Sequence, residues 1–393
     1  MSETEDRPGT RMRVRREDLQ GTWAMEAQEY LEGPEESDRE EELREFGLEA
    51  AESIRDRKIT LFARGRRTST ASFLSTPFLE DARDLDGQHV AFLGAPYDGG
   101  ATSRPGTRFG PAALRKMSSE VGSPYNPGMG VNIKSSLDMV DLGDIRVIPS
   151  NLEKTFDQIA KAVSYVAERE TFPVVLGGDH AIGYPDVRGL SPYIDGNIGI
   201  IHLDRHSDIS EYSWDERMHG SPFFHATNVP NAPPTNLVQI GVGGWSSPPE
   251  WYKTARERNT TMITVDDIDH YGIERVLEYA LDIAWKNADA VWLSFDIDSV
   301  DPAFAPGTGT PVSGGLTPRE VLYMLRGIAR EGLVGMEIVE VSPPYDVADI
   351  TAILGATVIR EVLGSLVVGG KLGTKPDDMP DAPFRIPDLR RRE

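Results

Sequence analysis

The sequence predicts an α/β fold, a mostly parallel sheet with helices on both faces. Three observations carry this. Eight short, nearly continuous apolar runs recur along the chain: HVAFLGAP, LDMVDLGDI, FPVVLGGDH, IGIIHLDRH, LVQIGVGG, MITVDDI, AVWLSFDID and VGMEIVEVSP. Runs of this length suit parallel strands covered on both faces. Helix-like segments lie between several of them, and strands alternating with helices make a sheet with helices packed on each side.

The elements follow in order. Residues 1–86 read as an acidic N-terminal extension and connector, with 18 acidic and 9 basic residues in the first 57. Residues 87–370 carry the alternating pattern and read as one catalytic domain. A Gly/Pro-rich turn, GATSRPGTRFGPAALR, leads into a helix. The segment SNLEKTFDQIAKAVSYVAERE starts at Ser150 or Asn151 as N-cap. GIERVLEYALDIAWKNA is amphipathic, as is TPREVLYMLRGIARE, with Thr317 as N-cap and Pro318 in the first turn. Residues 371–393 form a Pro-rich, charged tail.

Composition narrows the function. The formal net charge is −22, which disfavours nucleic acid and anionic membrane surfaces and suits small cations. The chain has no cysteine, so disulfides, thiolate metal sites and cysteine nucleophiles are excluded. Any metal must sit on His, Asp and Glu. No apolar run reaches the roughly 18 residues of a membrane span, and the N-terminus lacks an apolar signal core. The expectation is a cytoplasmic protein.

In parallel α/β sheets, ligands bind beyond the carboxyl ends of the strands. The unusual polar residues gather there: Asp179 and His180; Asp204, His206 and Asp208; Asp296, Asp298 and Asp301; and Glu340. Side chains two apart on a strand share a face, so Asp204, His206 and Asp208 should converge, with Arg205 and Ser207 turned away. So many carboxylates together repel strongly without cations. Two divalent ions bridged by carboxylates and a water resolve this, and such a pair lowers the water's pKa toward neutrality. The reaction class is metal-assisted hydrolysis. His219 is the candidate proton donor to the leaving group, and Glu340 the anionic partner of a cationic substrate. Trp245 and His225 lie just past the strands as candidate substrate-binding residues.

Taken together, GGDH, DRHSD, FDIDSVDPAFAPGTGTP and MEIVEVSPPYD resemble the arginase/agmatinase family of ureohydrolases over residues 87–370. The resemblance implies a three-layer α/β/α sandwich with an eight-stranded parallel sheet. It implies one metal on His180, Asp204, Asp208 and Asp296, and a second on His206, Asp204, Asp296 and Asp298. Glu340 would grip the guanidinium, and His219 or Asp208 would assist proton transfer. The family usually has Ala where this chain has Arg205. With FHATN and GGW, that change resembles the nickel-dependent branch acting on guanidine, dimethylguanidine or metformin. The resemblance therefore implies nickel ahead of manganese, and a homohexamer or related hetero-oligomer.

Phe223, Phe224 and Trp245 are expected to form apolar walls around a small guanidine, giving urea and ammonia from guanidine itself. Three alternatives stand beside this. One is an agmatinase or guanidino-acid hydrolase. Another is a deacetylase-like amidohydrolase, which the six ligands and Glu340 disfavour. The last is an inactive partner subunit of a hetero-oligomeric ureohydrolase.

Overall fold

A computed structural model describes residue 62 and residues 71–375, except residues 213 and 247. The acidic arm and most of the tail lie outside the described residues. Each of the eight apolar runs becomes a strand: β1 Val90–Ala95, β2 Met139–Asp144, β3 Phe172–Gly177, β4 Ile198–Leu203, β5 Leu237–Val242, β6 Thr261–Thr264, β7 Ala290–Asp296 and β8 Gly335–Val339. They form one sheet in the order β2-β1-β3-β8-β7-β4-β5-β6, every neighbouring pair parallel. MITVDDI is strand only in its first residues, because Thr264 caps a helix that begins at Val265.

Helices α1 Gly110–Glu120, α2 Leu152–Ala167, α3 Gly183–Leu190, α4 Ile273–Ala284, α5 Pro318–Glu331 and α6 Ile350–Val368 flank the sheet. One core joins α1, α4, α5 and α6 to one sheet face. The other joins α2 and α3 to the opposite face. This is the three-layer sandwich expected, and it explains why the central strands are apolar without alternation. The caps also match: Asn151 accepts from the Lys154 amide, and Thr317 forms a reciprocal capping box with Glu320.

One expectation needs correcting. Helix α6 is 19 residues long and apolar enough, by length and composition, to cross a membrane. Its mean hydropathy has another cause here. Most of the helix is buried between α1, α5 and the sheet, so nearly every side is core-facing.

The β2 edge is held by a buried ion triad. Arg115 on α1 donates to Asp141 at 2.9 and 3.0 Å and to Asp144 at 2.5 Å, with all three side chains almost fully buried. Two acids share one cation, and Asp141 also accepts from the Phe73 and Gly143 amides. Removing the cation would leave uncompensated buried charge. Arg115→Ala should therefore lower the unfolding free energy by about 3–5 kcal/mol in urea denaturation. A loss below about 1 kcal/mol would show that the triad does not hold this edge.

Candidate active site

The strand order decides the site. Strands β3, β8, β7 and β4 are consecutive neighbours at the sheet centre. Their carboxyl ends deliver His180, Glu340, Asp296 with Asp298, and Asp204 to Asp208, respectively. Residues up to 160 positions apart are thus brought side by side only by the crossovers.

The geometry centres on His180. Its Nδ1 lies 3.1 Å from Asp204 Oδ2, 3.0 Å from Asp208 Oδ2 and 3.1 Å from Asp296 Oδ2. One ring nitrogen cannot donate to three carboxylates, so these oxygens face each other with too few protons. Next to them, His206 Nδ1 lies 3.1 Å from Asp298 Oδ2 and 3.4 Å from Asp204 Oδ1. Asp204 thus belongs to both groups. Backbone amides hold the carboxylates: His206 N donates to Asp204 Oδ1 at 2.6 Å, and Asp298 N to Asp296 Oδ1 at 2.7 Å. Burial, followed by the charges of Asp298 and Asp204, raises Asp296 well above the ordinary carboxyl range. Burial and then Asp204 raise Asp208 to about 6. Both shifts express the same excess of negative charge. Two clusters with spacing fit to hold a metal ion follow, His180-His202-Asp204-Asp208 and Asp204-His206-Asp298.

Convergence does not come from strand alternation. β4 ends at Leu203 and β7 at Asp296, so Asp204 to Asp208 lie on irregular backbone and Asp298 on a short 3-10 turn. Asp208 even has a positive φ of 41°. Arg205 does turn away, as expected, but into the protein rather than to solvent.

Sequence reasoning missed His202 and its partner Gln239. His202 lies two residues before Asp204, and its Nε2 donates to Asp204 Oδ2 at 2.7 Å. Gln239 on β5 donates to His202 Nδ1 at 3.0 Å, which fixes that tautomer. Burial pushes His202 down to about 4, so it stays neutral and orients Asp204. The spacing of two on one strand was the available signal.

Beside the acids lies a second group. Glu340 adopts a positive φ of 62°, and its Oε1 accepts from the His180 amide at 2.9 Å and from His219 Nδ1 at 3.0 Å. Glu340 Oε2 is buried and has no hydrogen-bond partner among the described residues. His219 Nε2 lies 2.7 Å from Thr102 Oγ1 and 3.2 Å from the Thr102 amide. Burial opposes the charge on His219, but Glu340 outweighs it and raises the ring to about 9. Asp179 caps the turn that starts at His180 and holds the Gly100 amide at 2.6 Å. Behind the cluster, Asp186 and Glu337 are fully buried beside each other, and no other residue donates to any of their four oxygens. Burial, then Glu337, raises Asp186 well above its ordinary value.

Several expected residues sit elsewhere. Trp245 is fully exposed, because Gly243 and Gly244 at φ 146° and 70° swing the turn outward, so it walls no pocket. Phe223 is buried behind the site, its ring 5.3 Å from His180 and 4.1 Å from His202. Phe224 packs under Arg258. His225 turns from the cluster to the Glu216 carbonyl and the Tyr184 ring. A single helical turn, Pro222–Ala226, cannot point three successive residues the same way. Asp301 caps a surface loop through the Ala303 and Gly314 amides. The apolar walls expected from these residues are therefore absent.

The His219–Glu340 contact gives a direct test. In Glu340→Gln the ring loses its anionic partner and keeps its burial, so its pKa should fall from about 9 to below 6.5. An NMR titration of the His219 ring reads this, and an unchanged pKa would refute the assignment.

The comparisons with known proteins agree with this arrangement. Residues 88–364 match the Arginase family. The chain is 35% identical to the human mitochondrial guanidino acid hydrolase, over 77% of this chain and 84% of that protein. It is 33% identical to guanidinobutyrase of Pseudomonas aeruginosa, over 75% and 91% respectively. The structure of proclavaminate amidino hydrolase from Streptomyces clavuligerus superposes with a TM-score of 0.70 at 33% identity, covering 77% of this chain and 99% of that one. Arginase from Bacillus caldovelox superposes with a TM-score of 0.61 at 29% identity, covering 71% and 98%. Matches of this extent settle the family: the chain belongs to the arginase family, the ureohydrolases that cleave C–N bonds of guanidino compounds.

Proposed function

We propose that the chain hydrolyses a small guanidine, either guanidine itself or a methylated guanidine or biguanide such as dimethylguanidine or metformin. The observation that carries this is the free, buried Glu340 Oε2 beside the histidine–aspartate cluster. A buried carboxylate oxygen without a donor calls for a cationic one, and a planar guanidinium supplies N–H groups in the matching geometry.

Arg104 bears on the size of the substrate. Its Nε donates to Gly309 O at 3.1 Å and its Nη2 to Thr308 O at 2.9 Å, while the guanidinium stacks on Tyr345 at 4.4 Å. Three loops are tied together there, and Gly309 is the residue facing Glu340 Oε2. A long-tailed substrate would have to pass this tie, whereas a small guanidine has no tail to carry past it. The names of the relatives favour a second reading, a guanidino acid or agmatine as substrate. Opening the Arg104 tie would be its requirement.

The residues fit two divalent cations. His180, Asp204, Asp208 and Asp296 would hold one, and His206, Asp204, Asp296 and Asp298 the other. Nitrogen and oxygen donors suit nickel or manganese. When bound, such a pair activates water for attack at neutral pH. The protein's own residues do the rest. Glu340 orients the guanidinium plane, and its attraction strengthens as charge localises on the nitrogens. His219 keeps its Nδ1 proton on Glu340 in both charge states, so Nε2 is the atom that gains and loses a proton. Thr102 Oγ1 lies beside that atom, accepting a hydrogen bond from it when it is protonated and donating one when it is not. His219, charged at neutral pH, thereby delivers a proton to the leaving amine, with Asp208 a second carrier.

Two measurements test the proposal. Metal analysis of the purified protein should find about two divalent ions per chain, with nickel or manganese restoring activity best after chelation. Asp204→Ala should lose both metal and urea release, since Asp204 serves both groups, and wild-type turnover in that variant would refute the site. Steady-state kinetics should then rank kcat/KM for guanidine, dimethylguanidine or metformin above that for agmatine, guanidinobutyrate and arginine. The reverse ranking would select the second reading, and no urea from any of them would leave the inactive-subunit alternative.

A further inference from the structure

Arg205 interrupts the metal-binding segment between Asp204 and His206, and the proposed chemistry gives it no part. It is almost fully buried, at 4% exposure. Its Nη1 donates to Gly241 O at 2.9 Å and its Nη2 to Ser313 O at 3.2 Å. No carboxylate lies within ion-pair distance of it among the described residues, so two carbonyls hold it directly, while Asp298, Asp266 and Asp301 favour its charge from farther off. Its backbone is equally engaged. The Arg205 amide donates to Asp298 Oδ1 at 3.3 Å, and its carbonyl accepts from the Gly243 amide at 3.2 Å.

The loops it touches are built around it. A Cβ added to Gly243, Gly244 or Gly314 would lie 3.1, 2.9 or 3.4 Å from the guanidinium, and all three glycines have positive φ. The turn after β5 and the loop after β7 therefore leave room for this side chain. Both loops border the site. Gly241 packs against the Asp204 carbonyl, and Thr310 donates to Asp298 Oδ2 at 3.1 Å.

We propose that Arg205 is a positioning residue that staples the 241–246 turn and the 310–315 loop onto the metal-binding segment, and so sets which guanidine the site admits. An arginine suits this because its planar fork reaches two carbonyls at once. An alanine here would reach neither carbonyl. The substrate half of the proposal rests on the reading that this site binds a guanidine; the loop half does not.

The experiment uses the full-length, metal-loaded protein with Arg205→Ala and Arg205→Lys. Hydrogen exchange reads the staple without any substrate. In both variants, amide protection in residues 241–246 and 310–315 should fall at least tenfold, while β1 and β3 stay protected as in the wild type. Metal stoichiometry should stay near the wild-type value. KM for the best guanidine should rise about tenfold with kcat changed less than threefold, and preference over guanidinobutyrate should shrink. Lysine keeps the charge but not the fork, so failure to rescue marks geometry as the cause. Unchanged exchange in both loops overturns the staple, whatever the substrate. Full rescue by lysine overturns it in favour of charge alone. Loosened loops with an unchanged substrate ranking overturn the specificity half. If Arg205→Ala does not fold, Arg205→Lys carries the same three readouts.

Discussion

Charge excess in a dry place is the constraint on which the rest depends. Asp204, Asp208, Asp296 and Asp298 are all buried within reach of two histidines. Buried carboxylates repel and lose hydration, and neither histidine carries enough protons to satisfy them. The surrounding structure is arranged around this. Backbone amides at turns hold individual oxygens, His202 donates to Asp204, and Gln239 keeps His202 in the right tautomer. Such support fixes the directions of the carboxylates, which is what a site that must present the same donor set every turnover requires.

The fold was legible because parallel strands covered on both faces leave an unmistakable apolar record. All eight runs became strands, and the caps at Asn151 and Thr317 stand where side-chain chemistry placed them. Arg360 and Glu361 break the apolar run of helix α6, so no span-length run stands out in the sequence. Glu361 is buried and paired with Arg326 and Asn126, so the break in hydropathy was no break in burial.

The candidate ligands were legible by position at strand ends, although the reason offered was incomplete. Alternation on a strand suggests convergence, whereas the structure obtains it with irregular backbone just past the strands. The strand order was not legible at all. Inserting β7 and β8 between β3 and β4 places residues 180, 204, 296 and 340 together, and no local pattern encodes that. Pocket walls failed for a similar reason. The aromatic residues near the motifs were judged by proximity in sequence, but Phe223 supports the histidines from behind and Trp245 faces water.

The acid pair behind the cluster has a thermodynamic consequence of its own. Burial, and then the neighbouring Glu337, hold Asp186 well above its ordinary value, so it keeps its proton to higher pH in the native protein than in an unfolded chain. Folding of this molecule is therefore coupled to uptake of a proton from solvent. The pair is least costly below the ordinary aspartate value near 3.9, and its contribution to stability declines as pH rises from there toward the raised value of Asp186. The decline is about 1.4 kcal/mol for each pH unit while one whole proton separates the two states. The layer directly behind the histidine–aspartate cluster thus holds a carboxyl that favours acid.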